Sequence, residues 1–224
     1  MPSSGSTPDG VTVPMRFGVV DVETSGLTLG RHRVLQIGLV IVEIAPPALR
    51  AVEVDRWSTM VRLPRPWSRV GPRQIHGIRR RDLWRAPRPD EALSEFRDRL
   101  GSAIFTAHNA EFDAGFIQDA AQAAGVTLDL GHPLCTLRLS RRLDPDRLQS
   151  HRLGDLCTRY GVSLDRPHDA LEDALATASV LPHLLAAHGI VGPHQLAPFC
   201  VRTDRPTAPR HPGPSSDGRP QLTS

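Results

Sequence analysis

Past residue 14 short apolar runs come first, and longer amphipathic stretches follow. Residues 16–22 are short, largely apolar and valine-rich, which predicts a buried strand. Residues 34–43, Val-Leu-Gln-Ile-Gly-Leu-Val-Ile-Val-Glu, predict a second. Residues 51–61 alternate well enough for a third, stopped by Pro64 and Pro66. These three suggest an antiparallel meander, with residues 24–33, carrying Gly26 and Gly30, as the loop between the first two. The period then lengthens. Residues 90–100 predict a helix with Asp90 as its cap and Ala92, Leu93, Phe96 and Leu100 on one face. Residues 103–107 read as a short strand, and Asn109 as the cap of a helix that Gly125 stops. Residues 133–136 suggest another strand, and residues 153–160 a helix ended by Gly161. A last helix starts near Asp169. Asp169 and Glu172 there have capping-box spacing, Ala170, Leu171, Ala174, Leu175, Ala178 and Leu181 form a buried face, and Pro182 is expected to kink or end it. Strands first, then helices alternating with strands, predict an α/β layered domain with a mixed sheet.

Composition sets the limits. With 224 residues and 39% apolar content, the chain can build one sizeable core. Residues 1–14, rich in Pro, Ser, Gly and Thr, and residues 191–224, rich in Pro and Arg, bury too little to offset chain entropy, so both are expected to be disordered, leaving a domain at 15–190. All 27 Lys/Arg residues are arginine, as codon bias in a GC-rich genome would give. The net charge of +3 is too small to argue for nucleic acid alone. Locally, Arg79, Arg80, Arg81, Arg85 and Arg88 cluster, as do Arg138, Arg141, Arg142 and Arg147, making either solvated faces or phosphate-tracking surfaces. Cys135, Cys157 and Cys200 match neither a zinc pattern nor a disulfide framework and read as reduced thiols, two of them in the core. Nothing reads as a signal peptide, and the longest apolar stretch, residues 34–42, is far too short to span a bilayer. The expectation is a soluble cytoplasmic protein without membrane contact. Trp57, Trp67 and Trp84 read as packing residues that could also stack on bases.

Chemistry concentrates in three stretches. Asp21 and Glu23 are two apart on a strand, so both point to one face at the sheet's rim. Asp113 lies near the start of a helix, where the dipole favours its ionised form. His168 precedes the last helix and Asp173 lies in its first turns. Each alone reads as readily as a solvated or structural residue. Gathered together, the carboxylates could stay ionised only if cations held them, and hard oxygen donors select Mg²⁺ or Mn²⁺.

Four segments in order carry a resemblance. Val20-Asp21-Val22-Glu23-Thr24-Ser25-Gly26-Leu27, Ile75-His76-Gly77-Ile78, Ala107-His108-Asn109-Ala110-Glu111-Phe112-Asp113 and His168-Asp169-Ala170-Leu171-Glu172-Asp173 resemble the DnaQ-like 3′–5′ exonucleases. The histidine five residues before the last aspartate is similar to the DEDDh subgroup. Ser25 and Gln36 depart from the commoner threonine and glutamate, at no ligand position. The resemblance covers about residues 15–188. It implies a ribonuclease H-like fold and two divalent ions, with Asp21 bridging both, Glu23 and Asp173 on the first and Asp113 on the second. It implies that His168 takes the proton of the attacking water and that a nucleoside 5′-monophosphate leaves from the 3′ end. Thr24, Gly26 and Leu27 would meet the terminal nucleotide, and His76 and Asn109 would line the groove. The same site serves single-stranded or frayed DNA and RNA trimming alike. The Pro-rich segment after Ile190 is either an unengaged tail or a docking segment for a DNA polymerase, which would make the chain a proofreading subunit.

Overall fold

The computed structural model describes residues 14–45, 50–65 and 67–202. Three long strands come first: β1 (Met15–Thr24), β2 (Val34–Ala45) and β3 (Arg50–Met60). Two short helices follow, α1 (Arg73–His76) and α2 (Arg80–Trp84), and then α3 (Pro89–Leu100). Next come β4 (Ile104–Ala107), α4 (Ala110–Ala124), β5 (Leu134–Cys135), α5 (Thr136–Arg142), α6 (Leu153–Tyr160) and α7 (Ala170–Ala187). The sheet order is β3-β2-β1-β4-β5. β1, β2 and β3 form the expected antiparallel meander, and β4 and β5 add in parallel.

The sheet is covered on both faces, which is why β2 reads as an almost unbroken apolar run. On one face, Val20, Val22, Ile37, Leu39 and Ile41 pack with Phe96 of α3 and Phe116 and Ile117 of α4. On the other, Met15, Phe17, Val19, Val40, Val42 and Ile44 pack with Leu181, Leu184 and Leu185 of α7. Asp21 and Glu23 continue that second face. Across the β1–β2 register the pairs run Met15/Ile44, Phe17/Val42 and Val19/Val40, then Asp21/Gly38 and Glu23/Gln36. The α7 face of the sheet thus turns from apolar to polar where α7 begins.

Several local expectations change. Asp90 does not cap its helix: α3 starts at Pro89, which fits its first turn, with Asp90 and Glu91 behind it. Residues 133–136 make only a two-residue strand, and Thr136 already belongs to α5. α7 runs past Pro182 to Ala187. The domain also continues past residue 190. Leu196, Phe199 and Val201 are buried, Cys200 bridges Leu134, and the Val201 N–H donates to the Pro133 carbonyl at 2.8 Å. Residues 191–202 therefore close the edge of the sheet at β5, while residues 1–13 and 203–224 lie outside the described residues. Cys135 and Cys157 are buried thiols, as expected, and Cys200 is half-buried. Among the described residues no helix is long and apolar enough to cross a membrane.

Candidate active site

A backbone-to-carboxylate hydrogen bond joins the first two stretches, and the third reaches the first at Glu23. β4 pairs with β1 only through Val19, leaving the end of β1 without a strand on that side. The Val22 N–H there donates to Asp113 Oδ1 at 3.2 Å. A carboxylate from α4, which packs under one face, thus reaches the rim between Asp21 and Glu23. On the other face, the His168 N–H donates to Asp173 Oδ2 at 3.0 Å. Donor atoms of Glu23, His168 and Asp173 lie within 4.8 Å of one another.

The first turn of α7 sits directly on β2. A Cβ on Gly38 would lie 2.2 Å from the Ala170 carbonyl oxygen, closer than any side chain allows. Gln36 stands beside it, its amide oxygen 3.5 Å from the Ala170 nitrogen. Asp169 caps the helix, accepting from the Leu171 and Glu172 N–H groups at 3.1 and 3.4 Å. Glu172 turns to Arg166, so only the first half of the expected capping box forms. His168 holds a left-handed backbone at φ 66° with its side chain exposed, a conformation few non-glycine residues adopt.

The carboxylates crowd one another. Burial first, then repulsion from Asp113, Asp173 and Glu23, pushes Asp21 well above the usual carboxylate range. Burial, with Asp173, Asp169 and Asp113 adding to it, raises Glu23 to about 8. Asp113, only 4% exposed, is raised by burial to about 7 even though the Val22 N–H pulls the other way. Burial also raises Asp173, against the opposing pull of the His168 N–H. Four acids held in this state are stabilised as anions by divalent cations, and all-oxygen donors are what Mg²⁺ and Mn²⁺ take. The donor set fits the metal that the sequence implies.

The expected substrate-binding residues differ in placement. Thr24 is buried, its hydroxyl donating to the Gly26 carbonyl at 2.7 Å, which fixes the turn. Leu27, just past that turn, is 82% exposed. Asn109 is exposed and its side chain does not cap α4. His76 is buried; its Nδ1 accepts from the Ile78 N–H at 3.0 Å and its Nε2 donates to the Val70 carbonyl at 3.2 Å. Both ring nitrogens therefore hold its own loop. Sequence reasoning noticed Gln36 only as a departure and passed over Gly38; a glycine inside an apolar strand, opposite an acid, was the available signal.

Comparison with known proteins agrees with this geometry. Residues 19–181 match the RNase_T family of exonucleases. Protein MT2247 of Mycobacterium tuberculosis, whose name gives it as a bifunctional exonuclease/endonuclease, is 32% identical over 218 residues, covering 88% of this chain and 32% of its own length. A PolC-type DNA polymerase III of Staphylococcus saprophyticus is 32% identical over 180 residues, 80% of this chain and 12% of the polymerase. The chain therefore spans a third or less of these relatives. Among solved structures, exonuclease X in complex with 5′-overhanging duplex DNA superposes with TM-score 0.58 at 23% identity, covering 83% of this chain and 98% of the other. A 3′-exonuclease recognising a histone mRNA stem-loop gives 0.66 at 14% identity, covering 88% and 94%. Both share the ribonuclease H-like fold seen here.

Proposed function

This chain belongs to the RNase T/DnaQ-like family of exonucleases, phosphodiester hydrolases of the DEDD group, and on that premise we propose that it removes nucleotides from the 3′ end of single-stranded or frayed DNA. The observation that carries the reading is the convergence of Asp21, Glu23, Asp113, Asp173 and His168 from three distant stretches onto one rim. The relatives named as DNA polymerases support DNA over RNA as the substrate.

In this reading Asp21, Glu23, Asp113 and Asp173 hold two divalent ions. Bound Mg²⁺ or Mn²⁺ supplies charge to stabilise the reacting phosphate and acidifies water. The protein's own groups do the rest. His168 presents an exposed imidazole beside Glu23 and Asp173 and accepts the proton of the attacking water, the role of a general base. The Asp173 carboxylate, by accepting the His168 N–H, fixes the loop that carries that base. Thr24 and Gly26 shape the turn that meets the terminal sugar. Leu27 offers an apolar surface that packs on a base whatever its identity, so little sequence preference is expected.

The test uses oligonucleotides labelled at either end. Asp21→Ala, Asp113→Ala and Asp173→Ala should each abolish release of 5′-monophosphates while folding is retained. His168→Ala should slow the reaction by roughly 10²–10⁴-fold, the range for loss of a general base. Full activity in excess EDTA would exclude the mechanism. Digesting matched DNA and RNA strands side by side decides the sugar, which turns on whether the 2′-OH finds a partner.

A further inference from the structure

Beside the catalytic rim lies a cavity whose walls no catalytic step uses. It measures about 460 Å³ and opens between the loop that joins β1 to β2 and the segment that follows β3. Among the described residues, Arg31, Arg33, Arg65 and Arg69 line it with Trp67, and no carboxylate does. Arg33 reaches Asp119 at 3.7 Å, whereas Arg31, Arg65 and Arg69 are not ion-paired among the described residues. Trp67 is 74% exposed, a large ring left in water.

We propose that this pocket holds a backbone phosphate and a stacked base of the substrate strand, beyond the terminal nucleotide. The proposal rests on the exonuclease reading and names a further part of its substrate. Three arginines without an ion pair, beside a fourth held by Asp119, give the cavity an excess of positive charge that favours an anion. A phosphodiester suits them, because the planar fork pairs two N–H groups with two phosphate oxygens. An exposed tryptophan among arginines is the pairing that single strands use, with bases stacking on the ring while cations track the backbone. Charge and aromatic surface together favour a polynucleotide over a free phosphate, which has no use for the ring.

The pocket is also built onto the catalytic turn. Ser25, one of its walls, lies two residues after Glu23. The Ser25 N–H donates to the Arg33 carbonyl and the Arg33 N–H donates to Ser25 Oγ, both at 2.9 Å. A Cβ on Gly71 would lie 2.4 Å from the Ser25 carbonyl oxygen, so the segment bearing Arg65, Trp67 and Arg69 packs against that same turn. A strand whose 3′ end lies at Glu23 passes close to this opening.

The experiment compares wild type with Arg65→Ala/Arg69→Ala and with Trp67→Ala. The substrates are a p-nitrophenyl ester of thymidine 5′-monophosphate and single-stranded oligothymidylates of about 2 to about 12 nucleotides. On the ester and the dinucleotide, kcat/KM should stay within about twofold of wild type, since neither reaches the pocket. On the longest strands KM should rise about tenfold at unchanged kcat. For the arginine variant, the dependence of log KM on log salt should be shallower by about 0.7 for each phosphate that is no longer neutralised. Trp67→Phe should recover most of the Trp67→Ala loss. Binding of a fluorescein-labelled oligothymidylate in EDTA should weaken in parallel, a readout independent of hydrolysis. Unchanged KM and binding on long strands would overturn the proposal. So would an equal loss on the ester. If wild type cleaves neither substrate, the exonuclease reading fails instead, and the binding comparison alone decides the pocket.

Discussion

At the scale of single residues, Gly38 serves the site although it carries no functional group. Its missing side chain lets the Ala170 carbonyl rest on β2, which sets where His168 and Asp173 stand relative to Asp21. In Gly38→Ala the first turn of α7 must lift away. Stability should fall by about 1–3 kcal/mol, the usual range for overpacking. Activity should fall by about 10²-fold or more, because small displacements of catalytic groups are costly. Oligonucleotide hydrolysis measured beside denaturant unfolding separates the two, and activity near wild type would show that the turn can yield. The acids and His168 were legible in the sequence because each stands in a short motif with a recognisable neighbourhood. Gly38 was not, since its role exists only once α7 has docked. Nor was the fate of His76, whose ring is committed to a loop that the sequence does not reveal.

At the scale of elements, the long strands and the helices of eight or more residues were legible, because hydrophobic period needs length to show. α1, α2 and α5 were not: at four to seven residues they span at most two turns and carry no readable stripe. Yet α5 helps to anchor the segment leading into α4. His108 Nε2 donates to the His151 carbonyl at 2.9 Å, and its Nδ1, 3.1 Å from Thr136 Oγ1, accepts from that hydroxyl. Ser140 Oγ lies 2.8 Å from His151 Nδ1 and extends the network. Burial first, then Arg141 and His151, lowers His108 from 6.5 to about 4, despite its bond to the His151 carbonyl. The folded protein therefore holds His108 neutral where the unfolded chain would protonate it. Its contribution is complete above pH 6.5 and is lost as the pH falls through about 4. Melting curves across that window should lose up to about 3 kcal/mol through this group. His108→Asn should flatten the slope, and an identical slope in both proteins would refute the assignment.

At the scale of the whole molecule, the mixed sheet and its helical layers followed from the order of strand and helix patterns. The end of the domain did not. Residues 191–202 look like a tail by composition, because a few apolar side chains scattered among Pro, His and Gly make no pattern. Folded, they place Leu196, Phe199 and Val201 against the core and close the sheet beside β5. Ending the chain after Arg202 keeps all three of these side chains. Ending it after Ile190 should cost roughly 3–6 kcal/mol, from about 1.5–3 kcal/mol for each large apolar side chain left unburied, with part of the loss recovered as chain entropy. Calorimetry of the two truncations against the full chain decides it, and equal melting temperatures would restore the boundary at residue 190.

Asp173 has two duties that share one atom pair. In the proposed function its charge belongs to the ligand set, and its Oδ2 is also the brace on which the His168 loop hangs. Alanine at this position therefore cannot say which duty was removed. Asparagine keeps an acceptor for the brace and gives up the charge, so the gap between the two variants weighs the brace alone. The ligand and the base it steadies are bound to a common fate, and neither can drift in evolution without carrying the other along.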